Sequence, residues 1–268
     1  MAAVCFVTTC MGRLDSLRCS LGPMLAHPDG SCVVVDYSCP DLTGDWVETN
    51  HPRARVVRVP GQAFFNLAAA RNAGAQYADA PWICFVDADI ILDSGFTPDL
   101  LQLLASGGYY RAFSSDAGVG GTFAVARSDF ERVGGYDEVI RGWGEEDNDL
   151  YDALQFIGVE QRPMPAERLR HLPHGDLERT RFYSVTDRLL GHAVNRVYRI
   201  VKWDTARLRR ELLALETRRV LYDKIFEVVT GSIQTRRTGE LTVQIPHGIV
   251  PGDWTLTRRL TYRFGKDA

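Results

Sequence analysis

The chain has 268 residues, 45% of them hydrophobic and 24% charged, with 31 Lys and Arg set against 34 Asp and Glu for a formal net charge of −3. That balance is ordinary for a globular protein, and the length suits one α/β catalytic domain with a C-terminal extension. No apolar run approaches the roughly 20 residues of a membrane helix, because the best candidate, Pro81 to Leu92, is interrupted by Asp87 and Asp89. The apolar start, Ala2 to Cys10, has no basic residue before it and no cleavage-like site after it, so no signal peptide is read there and a cytoplasmic location is expected. The six cysteines form no C-x-x-C pair, which argues against zinc, and they are read as reduced, mostly buried thiols.

Ala3–Thr9 reads as a buried strand, followed by a helix with Leu14, Leu17, Leu21 and Leu25 on one face. Ser31–Asp36 is a second strand, and Arg55–Val59 a third that stops at Pro60-Gly61. Asn66–Tyr77 is Ala-rich and helical, Trp82–Val86 is a buried strand running into Asp87-Ala88-Asp89, and Asp99–Ala105 is a short helix. Gly120-Gly121-Thr122 leads into another strand, and Ser128–Val133 is a helix closed by Gly134-Gly135. The stretch from about Thr186 to Glu227 is helical and basic, and β-like runs begin at Glu240.

Alternating strands and helices predict a parallel, doubly wound sheet, with ligands at the carboxyl ends of its strands. Three polar clusters fall there: Thr8 to Arg13, Asp36 to Asp41, and Asp87 to Asp89. The first lacks the G-x-G-x-x-G of a dinucleotide site. Residues 1–167 carry more acids than bases and residues 168–268 the reverse. The basic part either neutralises the first or faces phosphates, an acidic acceptor or a membrane surface.

Four groups of residues carry the chemistry. In Asp87-Ala88-Asp89 the two-residue strand period sends both carboxylates to one side, a hard oxygen site suited to Mg²⁺ or Mn²⁺, or else an exposed turn. In Gly142-Trp143-Gly144-Glu145-Glu146-Asp147-Asn148-Asp149, an indole beside carboxylates forms a platform for a sugar, and the alternative is an acidic helix start. His171 and His174 are imidazoles able to complete a metal site begun by Asp89, or else plain surface histidines. Arg13 and Arg71 suit phosphate or carboxylate, and Asp36 could accept hydrogen bonds from a base or ribose; each also has an ordinary surface or turn reading.

The run from Gly118 to Asp149, with its Gly-Gly strand, helix, Gly-Gly turn and G-W-G-E-E-D, resembles the carboxyl-terminal half of the β-1,4-galactosyltransferases and related bacterial family-two glycosyltransferases. Thr8 to Arg13, Asp36, Arg71 to Gly74 and the D-x-D resemble the nucleotide-binding half of the same GT-A fold. The resemblance implies a Rossmann-like GT-A domain over 1–185, with a helical and then β-rich extension over 186–268. It further implies a UDP-sugar donor, a divalent cation (Mn²⁺ or Mg²⁺) and inversion at the anomeric carbon. By resemblance Asp147 is the general base, and Trp143 and Glu146 hold the acceptor. Thr8, Arg13, Asp36, Arg71 and Asp87 face the donor, while Asp89, His171 and His174 supply the metal ligands. Where the galactosyltransferases carry M-x-x-H, this chain has Arg168-Leu169-Arg170-His171, without the methionine. The expected acceptor is a saccharide, peptide or small molecule. Nucleic acid is not expected, and a membrane-surface or homodimer contact is assigned to the C-terminal part. Two rival readings stand beside this one: a retaining transferase of the N-acetylgalactosaminyl type, and a non-catalytic nucleotide-sugar-binding module.

Overall fold

The computed structural model describes residues 2–113, 117–173, 175, 180–250 and 254–265. The chain divides into two compact units, Met1–Glu138 with Glu146–Ser184, and Val139–Glu145 with Val185–Ala268.

The first unit is built on a seven-stranded sheet in the order β3-β2-β1-β4-β7-β6-β8. These strands are β1 (Val4–Cys10), β2 (Gly30–Asp36), β3 (Arg55–Arg58), β4 (Trp82–Phe85), β6 (Gly108–Arg111), β7 (Phe123–Ala126) and β8 (Glu160–Pro163). β1 pairs in parallel with β2 and β4, and β2 in parallel with β3. β7 alone runs against its neighbours, antiparallel to both β4 and β6, so the expected parallel sheet is a mixed one. A strand buried on both faces needs no alternation, and β1 is buried at every position. Val4 and Phe6 pack with Leu17, Leu21 and Met24 of α1 (Leu14–Leu25) and with Phe96 and Leu100 of α4 (Phe96–Leu103). Cys5 and Val7 pack on the other face with Ala68 and Ala70 of α3 (Leu67–Ala75), and with Leu150 and Leu154 of α6 (Glu146–Phe156).

The alanines of α3 let it lie close to the sheet. At Gly74 even a Cβ would come within 2.5 Å of Val7 and 2.8 Å of Val35. α2 (Thr43–Asn50) and α5 (Arg127–Val133) complete the helices of this unit among the described residues. A separate ladder pairs β5 (Ile90–Leu92) antiparallel with β9 (Leu169–His171). Five cysteines are buried thiols and Cys19 is exposed.

The second unit contains α7 (Arg188–Arg209), α8 (Leu215–Thr235) and an antiparallel pair, β10 (Gly239–Val250) and β11 (Trp254–Phe264). Asp187 caps α7 by accepting from the amides of Leu189 and Leu190, which satisfies two donors that a helix start leaves open. No described helix is long and apolar enough to cross a membrane.

Candidate active site

The densest charge cluster lies at the carboxyl end of β4. Arg71 reaches it from α3 with only 2% of its side chain exposed. Its Nη2 donates to Asp87 Oδ1 at 2.7 Å and its Nη1 to Asp147 Oδ1 at 2.5 Å. The Tyr136 hydroxyl completes the cluster, 3.2 Å from both Arg71 Nη1 and Asp147 Oδ1. Asn72 fixes that tyrosine by exchanging hydrogen bonds with its backbone: Nδ2 donates to Tyr136 O at 3.0 Å, and Oδ1 accepts from Tyr136 N at 2.9 Å. Gly121 lies over the cluster, where a Cβ would come within 2.9 Å of Asp87 Oδ2 and 3.3 Å of Asp147 Oδ2. A single turn of α3, Arg71-Asn72, therefore organises two acids from distant parts of the sequence.

The electrostatics follow from burial. Burial works against the Arg71 charge, but the Asp147 carboxylate, with Tyr136 and Asp87, outweighs it and raises the guanidinium further. Burial pushes the Asp147 carboxyl above the ordinary carboxylate range while Arg71 pulls it back. Glu146 goes further, to about 8, through burial and the neighbouring Asp147 charge. Two adjacent acids with unequal surroundings share protons as a pair. The arrangement can keep Asp147 as the ionised partner of Arg71 while Glu146 holds a proton.

A second constellation comes from the β5–β9 ladder, which pairs Ile90 with His171. The Leu172 amide donates to Asp89 O at 2.8 Å. This register brings His171 Nε2 to 3.9 Å from Asp89 Oδ2, with both side chains mostly buried. That separation is too long for a hydrogen bond and is one that two ligands of a single ion can take. Gly118 makes room for the imidazole, since a Cβ there would come within 2.4 Å of His171 Cγ. Among the described residues no cluster of three or more His, Cys, Asp or Glu side chains could by itself hold a metal. His174 lies outside the described residues.

The other positions singled out in the sequence take different places. Thr8 is fully buried near the end of β1, and its hydroxyl has no hydrogen-bond partner among the described residues. Arg13 stands at the start of α1. Both carboxylate oxygens of Asp36 hold the loop after β2: Oδ1 accepts from Cys39 N at 2.8 Å and Oδ2 from Gly44 N at 2.7 Å. Trp143 belongs to the second unit, whereas Glu146 and Asp147 begin α6 in the first.

Within the second unit the Trp143 segment is tightly bound. Arg188 Cζ lies 5.0 Å from the centre of the indole, and the His192 ring 5.8 Å from it. Asn195 Nδ2 donates to Arg141 O and to Gly144 O, each at 2.9 Å. Tyr222 Oη donates in turn to Asn195 Oδ1 at 2.8 Å. Glu145 has a left-handed backbone, φ +74°, which is costly for a non-glycine residue. Its carboxylate is held by His192 Nε2 at 3.0 Å and Arg199 Nε at 2.7 Å. Sequence reasoning did not single out Tyr136, Gly118, Asn195 or Tyr222. For Asn195 and Tyr222 the available signal was a polar group at a core position of a helical pattern.

The mixed, parallel-dominated sheet with helices on both faces has the GT-A fold of the glycosyltransferases. Residues 105–175 match the family model described as the N-terminal domain of galactosyltransferase. N-acetylgalactosaminyltransferase 6 of Drosophila melanogaster is 26% identical over 53% of this chain and 29% of its own length. β-1,4-galactosyltransferase 5 of Danio rerio is 29% identical over 46% of this chain and 33% of its own. The chain thus aligns with about a third of these relatives' length or less. In structure it is similar to a mannosyltransferase from Pyrobaculum calidifontis, solved in complex with GDP-Man and Mn²⁺. The TM-score is 0.57 at 16% identity, covering 87% of this chain and 74% of that one.

Proposed function

We propose that the chain transfers a sugar from a UDP-sugar to an acceptor hydroxyl, with a divalent cation and with inversion at the anomeric carbon. The observation that carries this reading is the Arg71–Asp87–Asp147 cluster at the carboxyl end of β4, beside the facing Asp89 and His171. Their oxygen and nitrogen donors suit Mn²⁺ or Mg²⁺, so Asp89 and His171 are the residues that would hold the ion, with His174 a further candidate by resemblance. Such an ion, when bound, would neutralise the diphosphate as it leaves. Asp147 accepts the proton of the attacking hydroxyl, and Arg71 and Tyr136 keep its acceptor oxygen oriented. Glu146 keeps a proton at neutral pH and donates a hydrogen bond to the acceptor. The Thr8 hydroxyl, near the end of β1 and without a partner among the described residues, is a candidate donor contact together with Arg13 and Asp36.

The test is nucleoside-diphosphate release from UDP-glucose, UDP-galactose, their N-acetyl forms, UDP-glucuronate and GDP-mannose, each with Mn²⁺ and with EDTA. Metal-dependent release from one UDP-sugar is expected. Asp147→Asn should lower transfer by about 10²–10⁴-fold, the usual worth of a positioned base, and leave UDP binding in calorimetry largely intact. No release from any donor, with no Mn²⁺-dependent nucleotide binding, would sink the reading. Turnover of GDP-mannose alone would keep the transfer and overturn the uridine. The N-acetylgalactosaminyltransferase relative favours a second reading, a transfer that retains configuration, and NMR of the product's anomeric proton separates the two. A cytoplasmic location belongs to the same proposal.

A further inference from the structure

Beyond the acidic cluster, two thiols meet at the loops that follow β1 and β2. Cys10 is the last residue of β1, and Cys39 lies in the loop that Asp36 holds. Their sulfurs are 3.8 Å apart. Cys39 Sγ also accepts from the Gly12 amide at 3.1 Å and lies 3.0 Å from Thr43 Oγ1, which is 3.2 Å from Cys10 Sγ. The Gly12 amide donates to the Cys39 sulfur and the Thr43 hydroxyl can do so, with the second thiol beside it and the Asp41 carboxylate 3.9 Å away. Donors of this kind favour the thiolate that acts as nucleophile.

The remaining thiols differ. Cys5, Cys32 and Cys84 sit in the core, and burial pushes their thiols up. Cys39 is held down to about 6, first by the hydrogen bond from Cys10 and then, against burial, by Thr43 and Gly12. Cys10 moves the opposite way through the same bond.

We propose that Cys39 and Cys10 form a redox-active dithiol that hydrogen peroxide oxidises to a disulfide, loosening the loop that carries Gly12 and Arg13. The Cys39 thiolate attacks one peroxide oxygen, the O–O bond breaks, and hydroxide leaves, taking a proton to become water. Cys10 sulfur then attacks the Cys39 sulfenic acid, the S–O bond breaks, and a second water departs with the Cys10 proton. Two thiols and one peroxide give one disulfide and two waters. The sulfurs must close from 3.8 Å to about 2.05 Å. Closure takes from the Gly12 amide the thiolate that accepts its hydrogen bond. Gly12 takes a left-handed φ of +71° against the Phe182 ring, where a Cβ would come within 2.0 Å, so only glycine fits the pose that this hydrogen bond holds. The consequence for donor binding rests on the proposed function; the chemistry of the sulfurs does not.

The experiment uses the full chain carrying Cys19→Ser, which removes the exposed thiol. It is treated with a few-fold excess of hydrogen peroxide at pH 7, alkylated under denaturing conditions and digested with trypsin. The expected product joins the peptides spanning 1–13 and 19–53 through Cys10 and Cys39, two hydrogens lighter than their sum, and dithiothreitol separates them. Adding Cys39→Ser should abolish the link and leave Cys10 alkylated. Cys10→Ser should instead leave a sulfenic acid on Cys39 that dimedone labels. Full alkylation of Cys10 and Cys39 after peroxide, or a link through Cys32 instead, would overturn the site. The oxidised protein should bind UDP with Mn²⁺ about tenfold more weakly, the worth of one lost hydrogen bond, and dithiothreitol should restore it. A link without that change would overturn the effect on the loop. A reduced protein that binds no UDP would instead count against the proposed function, and the peptide map would still decide the dithiol.

Discussion

At the scale of single residues, the proton on Glu146 is the most consequential charge in the site. Burial and the Asp147 charge raise its carboxyl to about 8, whereas an unfolded glutamate titrates near 4.3. Between those values the folded chain holds a proton that the unfolded chain has released, so stability falls as pH rises through this window. The melting temperature of the wild type should therefore decline from pH 5 to pH 8.5. Glu146→Gln cannot ionise, so its decline should be shallower, and equal slopes would remove Glu146 as the source. The motif is plain in the sequence, since Trp143, Glu146 and Asp147 stand in one unbroken run. Their environment is not, because the proton balance depends on Arg71 and Tyr136, which are brought to Asp147 from elsewhere in the chain. Arg71 shows the same limit. Its residue type suits phosphate or carboxylate, and only the fold shows that each terminal nitrogen donates to a carboxylate.

At the scale of elements, the short ladder of β5 and β9 decides whether a cation site exists. It opposes Ile90 to His171 and so delivers Asp89 and the imidazole to one place. Gly118 leaves the space that the ring fills. Gly118→Ala must push the ring aside, and it leaves the rest of the ladder alone. Mn²⁺ affinity, followed by electron paramagnetic resonance, should fall about 10–100-fold, as when a ligand loses its supporting contacts. An unchanged affinity would mean that His171 is not a ligand. Long elements could be read from the sequence because their apolar period is long: β1, β2, α1 and α3 each emerged within a few residues of their ends. β5, β6 and β8 span three or four residues, too few to carry a period, whereas β3 and β4, as short, are marked by apolar runs closed by Pro60-Gly61 and by Asp87; α2 shows almost no apolar stripe, with Val47 its one large buried aliphatic residue. The antiparallel direction of β7 also left no local trace, because direction is set by pairing and not by the strand's own residues.

At the scale of the whole molecule, the path of the chain matters more than its order. The sequence reads Gly142-Trp143-Gly144 as one motif with Glu146-Asp147, but Val139–Glu145 belongs to the compact unit formed with residues from Val185 onward. No pattern within the motif announces this, because its partners, Asn195 and Tyr222, lie on helices far along the chain. Asn195 is fully buried and bridges two carbonyls of the segment, while Tyr222 fixes the amide's other end. Asn195→Ala leaves the Arg141 and Gly144 carbonyls without this donor, a loss of about 1–3 kcal/mol. The melting temperature should fall accordingly, and Trp143 should lose its fixed pose. If Trp143 contacts the acceptor, KM for the acceptor should rise several-fold while KM for the donor stays put, because the substitution frees the Trp143 segment and touches none of the proposed donor residues. Steady-state kinetics with both substrates varied makes that split visible. A melting temperature that falls with both KM values unchanged would leave Asn195 as a core hydrogen-bonding residue. It would also remove Trp143 from the acceptor site.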